Sequence, residues 1–142
     1  MKNEEYRKIE DVIDILSPSQ LVAVADIYEN GIGVPADTAQ ATRYYKMAAE
    51  EGSPYAQYQT AMRISDGDGA LLWLHSSAKQ GFSVSMKELS DRLRETDPRA
   101  SQRWLRLYYK SRDKKERRRA LVKRQCDEAL PEVIDGEVVI KI

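Results

Sequence analysis

Apolar positions recur at helical spacing along most of this chain and switch to alternation only near its end. Tyr6, Ile9, Val12, Ile13 and Leu16 fall on one stripe, which predicts an amphipathic helix over residues 4–16. Ser17-Pro18-Ser19-Gln20 closes that pattern and opens the next. Ser17 suits an N-cap, Pro18 the first helical position, and Gln20 completes a capping box. The helix so started runs to about Asn30, where Gly31 and Gly33 can take positive φ and turn the chain. Asp37, with Gln40 three places on, caps a helix that carries Tyr44, Tyr45, Ala48 and Ala49 and stops at Gly52. Ser53-Pro54 repeats the device. A helix from about Ala56 through Ala61 ends near Asp66-Gly67-Asp68-Gly69, and Leu71, Leu72, Trp73, Leu74 and Ala78 mark its partner, stopped by Gly81. Met86, Leu89 and Leu93 mark another first helix; Asp97-Pro98 opens a partner bearing Trp104, Leu105, Tyr108 and Tyr109. Asp113-Lys114-Lys115-Glu116 is a further capping-box signature. It predicts a separate helix over about 114–129 with Leu121, Val122, Cys126, Ala129 and Leu130 on its apolar side; one continuous helix over 99–129 is the rival reading. Pro131 ends the helical part. Asp135-Gly136 between Val133-Ile134 and Val138-Val139-Ile140 predicts a β-hairpin, which must pack on the helices, extend the sheet of a partner or a twin copy, or stay frayed.

These helices repeat. With Gly52 set against Gly81, Ala56 meets Ser85, Thr60 meets Leu89 and Ala61 meets Ser90, while Trp73-Leu74 matches Trp104-Leu105 and, more loosely, Tyr44-Tyr45. Small residues at 25, 41, 48, 49, 61 and 78 let helices approach closely, and aromatics at 28, 44, 45, 73 and 104 fill the space between pairs. A two-helix unit buries only one face alone, so stacking neighbours completes the core.

The first unit resembles the Sel-one-like repeat, a relative of the tetratricopeptide repeat. That family's pattern falls on Tyr28, Gly31, Gly33, Val34, Asp37, Ala41, Tyr44 or Tyr45, Ala48, Ala49 and Gly52, and Ala56 opens the next copy. The match is full over residues 20–56 and weak to about 112; the later copies lack the Gly-x-Gly-Val loop. The resemblance implies an all-α, right-handed α/α superhelix with a short C-terminal hairpin or strand. It divides the chain into an N-terminal capping helix (1–16), three repeats (17–52, 53–81 and 82–112) and a C-terminal basic capping helix with a β tail (113–142). It also implies a docking protein akin to bacterial scaffolding and signalling components. In related superhelices the first helix of each pair lines the concave face. By alignment this nominates Val22, Asp26 and Glu29, then Tyr55, Tyr58 and Met62, then Lys87, Asp91 and Arg94. Tyrosine and methionine suit adaptable contact surfaces; these positions equally fit ordinary half-exposed helix residues.

Composition narrows the class. The chain has 142 residues, enough for one domain with a real core, and the hydrophobic and charged fractions are those of an ordinary soluble protein. No window approaches a membrane span, and the N-terminal residues carry acids without an apolar core, so no secretory signal is expected and a cytoplasmic location is the default. Cys126 is the only cysteine, so no intramolecular disulfide can form.

The net charge of zero hides blocks: −6 over residues 1–98, +10 over 99–124 and −4 over 125–142. Arg103, Arg106, Lys110, Arg112, Lys114, Lys115, Arg117, Arg118, Arg119, Lys123 and Arg124 crowd the basic block, with Trp104, Tyr108 and Tyr109 interleaved. The run fits a solvated helix face, an acidic protein partner, or phosphates and stacked bases of a nucleic acid. The acidic remainder argues against a dedicated nucleic-acid binder.

No catalytic set, metal cluster or cofactor motif stands out, and no enzyme is expected. His75, the single histidine, reads as a packing residue on an apolar helix, and Cys126 as a core cysteine without companions. Asp66-Gly67-Asp68-Gly69 lacks the further acids of a calcium loop and reads as a shortened repeat turn. The function expected is protein–protein interaction, as a small adaptor, regulator or inhibitor of the immunity type. The alternative is a nucleic-acid-binding regulator working through residues 103–124.

Overall fold

The computed structural model of the protein describes residues 6–119 and 128–142, with the backbone alone over 113–119. Among them the chain is predominantly helical. Strand β1 (Tyr6–Lys8) leads into a short helix α1 (Ile9–Val12) and a 3-10 turn (Ile13–Ile15). Helices α2 (Pro18–Asn30), α3 (Thr38–Glu50), α4 (Pro54–Arg63), α5 (Gly67–Lys79), α6 (Ser83–Leu93) and α7 (Pro98–Arg119) follow. Strands β2 (Glu132–Ile134) and β3 (Glu137–Lys141) end the chain. Contacts divide the protein into two compact units, residues 6–56 with 128–142 and residues 57–119.

In the first unit the helix ends obey the predicted chemistry. The Ser17 hydroxyl accepts from the Gln20 amide at 3.2 Å and the Gln20 side chain accepts from the Ser17 amide at 2.9 Å, closing the capping box. The Asp37 carboxylate accepts from the Gln40 amide at 3.2 Å and the Ser53 hydroxyl from the Ala56 amide at 3.2 Å. Ala25, Ala41, Ala48, Ala49 and Ala56 are fully or almost fully buried, so α2 and α3 pack closely.

The terminal segments build a three-stranded antiparallel sheet in the order β1-β3-β2. Asp135 (φ 53°) and Gly136 (φ 76°) make the predicted hairpin turn. Tyr6 faces Lys141 and Lys8 faces Val139 across β1 and β3, and Val133 faces Val138 across β2 and β3. The predicted helix over 4–16 is therefore corrected: residues 6–8 are extended and only Ile9–Val12 form an α-helical turn. The β-branched run Val138-Val139-Ile140, buried in the sheet, offers an unpaired strand edge, and this long-range pairing overrides the local helical period. Both edges of β3 are thereby paired within the chain, so the tail packs in cis. The β3 edge proposed for a partner's or twin copy's sheet is occupied.

The hairpin rests on the loop of the first repeat. Gly33 has φ +75°, and a Cβ there would lie 2.9 Å from Val133 Cγ1 and 3.0 Å from Val133 Cβ. The Gln20 side-chain amide donates to the Ala129 carbonyl at 2.9 Å, tying the returning chain to α2. Residues 128–130 are not helical, and Ala129 and Leu130 are exposed, which corrects their placement on an apolar helix side. Leu121, Val122 and Cys126 lie outside the described residues.

In the second unit α6 packs against both α5 and α7. Ala61, Ala70, Leu74, Ala78, Met86 and Leu89 form the buried cluster, flanked by Tyr58, Leu71, Trp73, Leu93, Trp104 and Tyr108. Two serine pairs cross the helix contacts. Ser85 Oγ donates to Ser77 Oγ at 2.7 Å, and Ser101 Oγ donates to the Ser90 carbonyl at 2.6 Å. Asp66 caps α5 by accepting from the Asp68 amide at 3.1 Å, so Asp66-Gly67-Asp68-Gly69 is a helix start. Asp97 caps α7 through the Ala100 amide at 3.1 Å. The helix then runs unbroken through Asp113 to Arg119, which corrects the separate helix predicted from 114. A capping-box sequence gives no break where the preceding residues keep helical φ/ψ and already supply the backbone acceptors.

Candidate functional site

The first unit has a cleft of mixed polar and apolar lining, about 440 Å³, bounded by Lys8 and Glu10 near the N-terminus, Tyr28 and Tyr44 of the helix pair, the Val34–Asp37 loop, and Glu137 of β3. Glu10 and Tyr44 of its lining belong to a connected network. Arg43 donates to both Glu10 oxygens at 2.7 and 3.2 Å, and the Tyr44 hydroxyl donates to Glu10 Oε1 at 2.7 Å. The Arg43 guanidinium also lies 5.1 Å from the Tyr44 ring centre, and Tyr28 stacks on Tyr44 at 5.9 Å. Hydrogen bonds from Arg43 and then Tyr44 hold the Glu10 carboxyl down at about 2. Burial, followed by the Glu10 hydrogen bond, pushes the Tyr44 hydroxyl up; burial and then the charge of Glu10 push Tyr28 up. These shifts all move away from neutrality: Glu10 and Tyr44 share a fixed hydrogen bond, and Tyr28 is stacked beside them.

Of the groove residues nominated in this unit, Val22, Asp26, Glu29 and Tyr55 are all half-buried. Asp26 accepts the hydroxyl hydrogen of buried Tyr45, and Tyr55 meets the Tyr45 ring edge-on at 6.1 Å. Asp26 and Tyr55 thus help to hold the repeat together. Burial, and then the hydrogen bond to Asp26, raise the Tyr45 hydroxyl.

In the second unit one nominated residue of α4 meets α6, through Arg92, which was not nominated. Met62 is 44 % exposed, and its sulfur accepts from Arg92 Nη2 at 3.7 Å. Asp91 joins Lys87 at 2.8 Å and Arg94 at 2.9 Å, in pairs open to solvent. Tyr58 instead turns toward the core and packs on Phe82 at 5.8 Å. His75 meets the Trp104 ring edge-on at 5.4 Å, the packing role expected of it.

Of the basic residues, Arg103, Arg106 and Lys110 are exposed on α7 and line a depression of about 310 Å³ together with Leu107, which is 45 % exposed. Arg112 is also exposed, with its guanidinium 5.9 Å from the Tyr108 ring centre. The side chains of Lys114, Lys115, Arg117, Arg118 and Arg119, and all of Lys123 and Arg124, lie outside the described structure. The Glu10–Arg43–Tyr44 network and exposed Leu107 are the features sequence reasoning missed. Leu107 was legible as an apolar residue off the Trp104–Tyr108 stripe; Glu10 gave no signal, because its partner lies 33 residues away.

Among the described residues, no group of three or more His, Cys, Asp or Glu side chains is placed to hold a metal ion, and no helix is long and apolar enough to cross a membrane.

Residues 21–53 and 54–82 match the Sel1 repeat family. Among solved structures, the chain is similar to a Sel1 repeat protein from Oxalobacter formigenes, with 26 % identity and a TM-score of 0.63 over 66 % of this chain and 44 % of that one. It also shares the fold of a protective antigen of uropathogenic Escherichia coli described as displaying an SLR fold, with 23 % identity and a TM-score of 0.60 over 66 % of this chain and 23 % of that one. The chain thus spans less than half the length of either. No protein of curated function matches it.

Proposed function

We propose that the chain, whose residues 21–53 and 54–82 match the Sel1 repeat family, is a protein–protein interaction module, a small non-catalytic adaptor, regulator or inhibitor that acts by occupying one partner. Repeats of this class generally serve as interaction scaffolds. The observation that carries the reading is the Arg92–Met62 contact, which sets α4 beside α6, the first helices of successive pairs. Around it lie an exposed methionine and the solvent-facing Lys87–Asp91–Arg94 chain of charges. A flexible apolar contact rimmed by charges that can exchange their internal partners for external ones suits protein docking. Exposed ion pairs contribute little to folding, so their loss on binding costs little.

The test is capture of a partner with the full chain, then reconstitution of the complex from purified components. The partner is expected to bind the wild-type chain and to be lost by a Met62→Asp, Asp91→Lys variant that keeps its helical circular dichroism. Unchanged affinity in that variant would refute docking through this face.

A further inference from the structure

We propose that the outward face of α7 is a second docking site, one that takes an acidic amphipathic protein segment and seats an apolar side chain of it on Leu107. The site goes beyond the α4–α6 face and uses none of its residues.

The face is set by helical geometry. At 3.6 residues per turn, Arg103, Arg106, Leu107 and Lys110 fall within about 100° of one side of α7, with buried Ala100 two turns away beside Leu107 at the edge of that side, while buried Ser101, and Trp104 and Tyr108, packed against the core cluster, fall on another. A single exposed leucine is ordinary. What distinguishes this one is its surroundings, three cations bordering a common depression of about 310 Å³. Among the described residues Arg103, Arg106 and Lys110 form no ion pair. The cations of neighbouring α6 and its C-cap are all paired: Lys87 and the C-cap Arg94 with Asp91, and Arg92 with Glu88. Like charges packed along one helix face repel one another, and carboxylates brought by a partner would relieve that repulsion while Leu107 leaves water. The long stems of arginine and lysine add apolar wall beneath their charged ends.

The same charges could attract a nucleic acid, but the arrangement favours a peptide. No aromatic ring lines the depression, and Tyr109, 55 % exposed, lies about 100° round the helix from its centre. Bases would therefore have no stacking platform beside the phosphate contacts. Outside residues 99–124 the chain carries blocks of −6 and −4, which repel a long polyanion but leave a short acidic segment free to seat on one helix.

Fluorescence anisotropy on the full chain tests the site with three probes: a Glu-rich helical peptide carrying leucines on one face, the same peptide with serine in place of leucine, and a short DNA duplex. The leucine peptide is expected to bind saturably and to weaken as salt rises. Leu107→Ser should cut its affinity about tenfold. Arg103→Glu with Arg106→Glu should abolish binding, with helical circular dichroism retained in each variant. Met62→Asp should leave it unchanged, so this site and the α4–α6 face stand or fall separately. Equal binding of the serine peptide, tighter binding of the DNA, indifference to Leu107→Ser, or no saturable binding would each overturn the proposal.

Discussion

Replacing Gly33 with alanine tests how the terminal hairpin is held. Gly33 sits at φ +75°, where a side chain costs about 1–2 kcal/mol relative to glycine. The added Cβ would also stand 2.9 Å from Val133 Cγ1 and 3.0 Å from Val133 Cβ. Both distances are well inside the ~3.5–4.0 Å of ordinary carbon contacts. Overpacking of this kind adds about 1–3 kcal/mol. The expected loss of about 2–5 kcal/mol is a large fraction of the ~5–15 kcal/mol that holds a typical domain. Urea unfolding reads the total. Amide exchange of Val138–Ile140 reports whether the sheet loosens first. Val133→Ala removes Cγ1, the methyl that most crowds the new Cβ, while its own Cβ stays 3.0 Å away, so the double variant should recover part of the loss, about 1 kcal/mol relative to additivity. Strict additivity, or β3 amides as protected in Gly33→Ala as in wild type, would refute docking of the hairpin on this loop.

Acid should weaken the first unit gradually. The folded Glu10 carboxyl titrates at about 2 against an ordinary 4.5, so its contribution is complete above about pH 4.5 and is lost as pH falls through 2. The Glu10 side chain is 56 % exposed, so solvent screening limits this to about 1 kcal/mol or less. Glu10→Gln should flatten the stability profile in that window, as followed by thermal unfolding across pH. In the second unit, Ser85→Ala removes the 2.7 Å hydrogen bond to the buried Ser77 hydroxyl and should cost about 1 kcal/mol in urea unfolding, whereas removing both hydroxyls should cost less than the two single changes combined.

The helix caps were readable because their chemistry is local. Ser17, Asp37, Ser53 and Asp97 each satisfy an amide two or three residues into the helix that follows. The small residues were readable because only alanine-sized side chains allow the close approach of α2 and α3. Tyr6–Lys8 was not readable as a strand, since its partners lie beyond residue 138 and its own apolar spacing is helical. Asp113 misled because a capping sequence marks a boundary only where the backbone leaves the helix. The serine pairs 77–85 and 90–101 were hidden because a polar residue at a helix contact looks like a surface position until its partner is known. At the sites, Met62 came from repeat alignment, and the exposure of Arg103, Arg106 and Lys110 was anticipated by the charge pattern. Nothing in the spacing revealed that Asp26 and Tyr55 serve the repeat's own packing.

Docking through the α4–α6 face is tested most directly by hydrogen exchange on the full chain, free and mixed with the purified protein it captures. Slowed exchange is expected around Met62 and Asp91, with the Leu72 side of α5, 72 % exposed at that residue, unaffected and both proteins unchanged in mass. Protection confined to other helices, or a partner returned chemically altered, would contradict it.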